Sequence, residues 1–210
     1  MSRNDWYRNT EWDASIQRTF EEKLRRARNK SQYLRIQAGR LADSHPTIAL
    51  QLLERYFGLG EKFDWAQAYC DQANALLSLG RIDDAITSYE SALQREAEFP
   101  QLQTQAYIEL PFLIATRSLH EKFDRAVQVL LEHEARLMFP IDRFMWHAAM
   151  ALIATTRGDR VSASEHGSRA LTEARQRRSG FRFHPTIGLV PDRYDGLIDQ
   201  LTPLTGKPLQ

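Results

Sequence analysis

The stretch AQAYCDQANALLSLGRIDDAITSYESALQREAEF, Ala66 to Phe99, decides the fold. Tyr69, Ala73, Leu76 and Leu77 recur at helical spacing, and Gly80 then interrupts the pattern. Ile82, Ala85, Ile86, Tyr89, Ala92 and Leu93 begin a second amphipathic stripe. Gly80 suits a helix end because glycine enters the left-handed region without a Cβ clash. Asp83 and Asp84 favour the next helix start through its dipole. Ala85 and Ala92 share one face, where small side chains let two helices approach closely. The stretch predicts a helical hairpin.

Shifting the frame finds weaker copies. Upstream, Tyr33, Gln37, Arg40, Ala49, Leu53 and Tyr56 take the corresponding places, with Pro46 opening the second helix. Downstream come Leu110, Ile114, Phe123, Ala126 and Leu130, and then Ala151, Ala154, Gly158, Ala163, Ala170 and Leu171. The small residue of each second helix therefore recurs at Ala49, Ala85, Ala126 and Ala163. Gln37 and Ile114 stand where a small residue is expected, and Gly167 where an aromatic is.

The order Tyr69, Ala73, Leu76, Gly80, Ala85, Tyr89 and Ala92 resembles the tetratricopeptide repeat family. The resemblance implies an all-α, right-handed solenoid of about four hairpins, over 30–60, 66–99, 107–139 and 144–178. An N-terminal segment and capping helix would occupy 1–29, with Asp13 as cap and Ile16, Phe20 and Leu24 along one stripe running to about Asn29. Residues 179–210 would form an irregular stretch, a short helix capped by Asp192 (Tyr194, Leu197, Ile198, Leu201), and a loose tail from Thr202. Solenoids need such end elements to cover their terminal repeats. Two phrases recur, HPTI at His45 and His184 and EKFD at Glu61 and Glu121, and read as shared turn and helix-start chemistry.

The resemblance also implies a concave groove lined by each hairpin's first helix. Its positions fall on Leu34, Ala38 and Leu41; Cys70, Asn74 and Leu77; Ile108, Pro111, Ala115 and Ser118; and Met145, Ala148, Leu152 and Thr155. Only Asn74 matches the Lys and Asn residues with which family members grip a carboxylate terminus. A largely apolar groove suits an amphipathic helix or other apolar segment. That occupant could be this chain's own C-terminal helix, a second copy, or another protein; the other reading is that these apolar residues pack against neighbouring helices and leave no groove open. Pro111 would kink its helix and free a backbone carbonyl.

The net charge of +1 conceals a polarised chain. Residues 61–109 hold nine acids and three bases, and residues 157–182 seven bases and three acids. Between 23 and 42 stand Lys23, Arg25, Arg26, Arg28, Lys30, Arg35 and Arg40 with no acid. These bases could meet phosphates, but no aromatic is interleaved in KLRRARNK, Lys23 to Lys30. Three bases near a helix C-terminus also complement its dipole. Nucleic-acid binding is thus the less favoured reading. Head-to-tail self-association of basic ends with the acidic middle is another.

Catalytic chemistry finds no constellation. The histidines lack zinc-protease spacing, and His147 reads as a satisfied packing residue. Cys70 stands alone, beside Tyr69 and Asp71, and reads as a packed thiol with no disulfide or cysteine metal cluster. The glycines are scattered, so no phosphate loop forms. No apolar run approaches a membrane span, and the first residues lack a secretory core, which favours a cytoplasmic protein. The sequence therefore predicts a protein or peptide holder without cofactor or enzymatic activity. The alternatives are a nucleic-acid-associated regulator, or an immunity or antitoxin-type inhibitor, the last without residue-level support.

Overall fold

The computed structural model describes residues 5–60 and 63–206, which contain ten α-helices and no strand. No helix among them is long and apolar enough to cross a membrane. The chain forms two compact units, Met1–Ala106 and Tyr107–Gln210. The division falls between the second and third predicted hairpins.

In the first unit, α1 (Ala14–Arg26) opens on Asp13, whose carboxylate accepts from the Ser15 and Ile16 amides at 2.7 and 2.8 Å. The helix ends earlier than the sequence predicts: Ala27 turns to extended backbone, and Asn29 instead caps the next helix. Phe20 and Leu24 bury the apolar stripe. Then come α2 (Lys30–Leu41) and α3 (Pro46–Gly58), and α4 (Trp65–Ser78) and α5 (Ile82–Glu98), two packed hairpins near the predicted bounds. Phe20, Leu24, Leu34, Ala38, Leu41, Leu53 and Tyr56 form the core here, joined by Ala68 and Ala75 of α4.

The second unit holds α6 (Ala106–Thr116), α7 (Phe123–Glu132), α8 (Pro140–Thr156), α9 (Arg160–Ala174) and α10 (Asp195–Leu201). Pro111 lies inside α6, which runs through it. Its ring nitrogen cannot donate to the carbonyl of Tyr107, as the sequence predicts. Helices α8 and α9 form an extensive hairpin that buries Phe144, Ala148, Ala163 and Ala170.

The four recurrent alanines Ala49, Ala85, Ala126 and Ala163 are all buried. A second recurrence joins them. Helices α4, α6 and α8 end on residues of positive φ, Gly80 (72°), Ser118 (53°) and Gly158 (78°). In each case the next amide reaches back to a carbonyl five residues earlier: Arg81 to Leu76, Leu119 to Ile114, Asp159 to Ala154, at 2.9–3.0 Å. This is the left-handed helix stop, and Ser118 adopts it despite a Cβ.

The C-terminal region is more ordered than the sequence predicts. Asp192 begins a 3-10 turn (Asp192–Tyr194) instead of capping α10, and Leu201 is fully buried. A second 3-10 turn, Thr202–Thr205, packs on α9, while residues 207–210 lie outside the described region. The two HPTI copies diverge: His45-Pro46 opens α3, and His184-Pro185 lies in a turn. The first EKFD begins at Glu61 and Lys62, outside the described residues. The second supplies a 3-10 turn and the start of α7.

Two of the three places where the repeat pattern fails, Gln37 and Gly167, lie against the terminal segments. Gln37, fully buried, binds Asn9 of the N-terminal segment. Gly167 lies beneath the C-terminal turn, where a Cβ would stand 3.5–3.7 Å from Thr205, Leu204 and Leu201. An aromatic ring at 167 would take the space the turn fills.

Candidate functional site

The predicted groove positions lie mainly inside the helical packing. Leu34, Ala38, Leu41, Cys70, Ile108, Pro111, Ala115, Met145 and Ala148 are buried and offer a partner no surface. Asn74, Leu77 and Leu152 are half-buried, and Asn74 accepts a 2.7 Å hydrogen bond from the Tyr89 hydroxyl. Ser118 and Thr155 are exposed. Ser118 terminates α6, and the Thr155 hydroxyl donates to Ala151 of its own helix. The apolar lining expected of an open groove is thus largely hairpin core. Cys70 is a packed thiol, donating to the Thr104 hydroxyl at 3.3 Å.

The basic positions divide. Lys23, Arg25, Arg26, Arg28, Lys30 and Arg40 are exposed, and none makes an ion pair among the described residues. Arg35 departs from the exposed basic surface expected of it. Its guanidinium turns inward, 3.2 Å from Asp64 and 3.5 Å from Asp71, and ties α2 to α4. Burial pushes the Asp71 carboxyl up, against the Gln67 amide and Arg35, which favour its charge.

Two of the exposed bases border a cleft of about 710 Å³ in the first unit, lined by residues of the N-terminal segment, α1 and α2. It is built from the chain's first described residues upward. Trp6, Tyr7 and Trp12 are too apolar to remain in solvent and pack against the core, with Trp6 4.8 Å from Tyr33 and 5.4 Å from Phe20. Gln37 then holds the backbone that joins them. Its side-chain carbonyl accepts from the Asn9 amide (3.1 Å) and the Asn9 side chain (2.9 Å), and its side-chain amide donates to the Asn9 carbonyl (2.8 Å). The Ser44 hydroxyl donates to Thr10 at 2.9 Å. Between this fixed segment and α1, Trp6 and Ile16 offer apolar surface, Asp5 and Glu11 negative charge, and Arg8, Lys23 and Arg40 positive charge. A smaller cleft of about 380 Å³ includes Arg25, Lys30 and Arg55, the last held by Glu21 at 2.6 and 3.0 Å.

The second unit contains a pair the sequence reading missed. His147 of α8 and His166 of α9 bring their Nδ1 atoms to 3.0 Å, with Trp146 against both rings. One imidazole must donate and the other accept, so doubly protonated rings cannot keep this contact. Burial, then the neighbouring His166, Arg169 and Arg143, pushes His147 down to about 4. Burial also lowers His166, with Arg169 acting in the same direction and Glu165, Asp159 and Glu134 opposing. No group of three or more metal-binding side chains occurs among the described residues.

The histidine pair predicts an acid-sensitive hairpin. A folded-state pKa below the unfolded one gives stability that is fully present above about pH 6.5 and lost as pH falls towards 4. Both rings are partly solvated, so screening reduces the contribution to about 1 kcal/mol. Between pH 7 and pH 4.5 the native chain should lose about 1 kcal/mol more than a His147→Phe/His166→Phe variant, measured by denaturant titration. Equal losses would remove the pair from the acid response.

No protein-family model, curated protein or solved structure matches this chain.

Proposed function

We propose that this chain is a non-catalytic holder of a polypeptide segment, a helical-hairpin scaffold of the tetratricopeptide kind, and that the segment lies in the N-terminal cleft. The observation that carries this reading is the cleft's make-up: an apolar wall from Trp6 and Ile16, charges of both signs, and a wall fixed beforehand by Gln37. A polypeptide offers the complementary mixture, an apolar side chain flanked by charged groups and backbone amides. A wall already held in place reduces the ordering cost of association. The buried groove positions support moving the occupant from the inner face of the hairpins to this cleft.

Selection of a random peptide library on the full chain tests the reading. The expected winners carry an apolar anchor next to an acidic residue, and Ile16→Asp or Lys23→Glu/Arg40→Glu weakens them by tenfold or more, roughly the worth of one buried contact. Failure to enrich any sequence, or winners indifferent to both variants, would overturn it.

A further inference from the structure

The longest acid-free basic stretch outside 23–42 is Ala174 to Pro191, with Arg175, Arg177, Arg178 and Arg182 and no Asp or Glu. None of these arginines makes an ion pair among the described residues, and all are exposed. Unlike KLRRARNK, Lys23 to Lys30, this run interleaves aromatics with its charges, as Arg-Arg-Ser-Gly-Phe-Arg-Phe over 177–183. Phe183 is 82% exposed, Ile187 47% and Phe181 40%, unusual for side chains this apolar.

The loop is not a loose strand of chain. The Ser179 amide donates to Pro185 at 2.8 Å and its hydroxyl to His184 at 3.0 Å, which closes the turn around both phenylalanines. His184 and Ile187 donate to Phe181 and His184 in turn, and the Gly188 carbonyl accepts from Ile141 of α8 at 2.9 Å. Phe181 lies against Phe139, ring centroids 5.2 Å apart and planes 30° from parallel. The Arg182 guanidinium stands 5.4 Å from the Phe183 ring centre.

We infer that this loop is a binding surface for single-stranded nucleic acid, with Phe183 as the stacking platform and Arg177, Arg178 and Arg182 as phosphate partners. The chemistry needs a planar ring accessible to solvent and cations within a nucleotide's reach, because every base has a stacking face and every linkage a charge. Both are present, and the closed turn orders them before any ligand arrives. A duplex hides its base faces and cannot use Phe183. An anionic bilayer shares the charge complementarity, but inserting Phe183 and Ile187 would carry the backbone polar groups of the tip towards hydrocarbon.

Fluorescence anisotropy of the full chain with a labelled twelve-nucleotide oligo(dT) and its RNA equivalent tests the inference. Binding is expected at low salt, with a log–log salt slope near −2 if three phosphates are engaged, since each contributes about 0.7 on single strands. Phe183→Ala removes a solvent-exposed ring and should weaken binding at least fivefold, in keeping with a lost base stack. Arg177→Gln/Arg178→Gln/Arg182→Gln should weaken it about tenfold or more and flatten the salt slope. Arg26→Gln/Arg28→Gln, at exposed positions of the N-terminal basic run outside the cleft, should leave it unchanged. The inference is overturned by absence of binding at 50 mM salt (roughly where phosphate contacts are still strong), or by equal affinity for duplex. An unaltered Phe183→Ala, loss of binding in the Arg26→Gln/Arg28→Gln variant, or preferential flotation with phosphatidylserine vesicles that oligonucleotide does not compete would do the same.

Discussion

Replacing Gln37 by leucine should destabilise the first unit by about 2–4 kcal/mol and release the N-terminal segment from α2. Leucine fills much of the same space, so little of the loss comes from a cavity. The loss comes from hydrogen bonding. Gln37 is fully buried and makes three hydrogen bonds to Asn9, at 2.8–3.1 Å. Each such bond contributes about 1 kcal/mol, and a part-buried amide or carbonyl left without a partner costs about 1–3 kcal/mol more. Hydrogen exchange supplies the local reading, since the Asn9 amide should lose its protection. Denaturant titration supplies the energy, and a cycle with Asn9→Ala should return a coupling of about 1 kcal/mol or more. A loss under about 0.5 kcal/mol, the scale of an ordinary surface change, would mean that the aromatic contacts alone hold the segment.

Gly188→Ala should cost the second unit about 2–4 kcal/mol, while Gly180→Ala in the same loop costs only about 1 kcal/mol. Both glycines have positive φ, 67° and 85°. An alanine there carries a conformational penalty of about 1–2 kcal/mol. Only Gly188 adds a collision. A Cβ at 188 would stand 2.5 Å from Cβ, Cγ and Cδ1 of Phe139, whereas none lies within 4 Å at Gly180. Phe139 cannot easily yield. Its amide donates to the Asp142 carboxylate at 3.0 Å, and Pro140 fixes the backbone that follows it. Overpacking of this kind costs about 1–3 kcal/mol. Thermal unfolding of the two variants beside the native chain measures the difference. Equal costs would show that the start of α8 shifts freely.

The hairpins were legible because their signal is periodic. Apolar stripes with a glycine or proline between them locate a helix pair whatever it packs against, and the alanines at 49, 85, 126 and 163 are buried as that pattern requires. Which face a partner would touch was not legible. Periodicity identifies the side of a helix that leaves water, but not whether solvent or a neighbouring helix lies beyond it. Leu34, Ala38 and Leu41 therefore read either as groove lining or as helix packing, and they are core. Arg35 illustrates the same limit for charge. It sits in an acid-free run, and the acids that neutralise it, Asp64 and Asp71, lie 29 and 36 residues further along. His147 and His166 are 19 residues apart on successive helices and meet only once the hairpin closes. The best local clue to the terminal segments lay in the pattern's exceptions. Gln37 and Gly167 break the repeat because each accommodates an end of the chain.

Cys70 is the only thiol in the chain, and it is buried with its Sγ on the Thr104 hydroxyl, which is itself bonded to the Glu96 carboxylate. A thiol-directed reagent added without denaturant can therefore react only when this part of the first unit opens, so its labelling rate is a clock for that opening. The same shielding leaves the surface clear for site-selective dyes. A cysteine placed on an exposed position would label within the first moments, long before Cys70 answers. The two clocks, running in one tube, would separate motion of a surface element from breathing of the core.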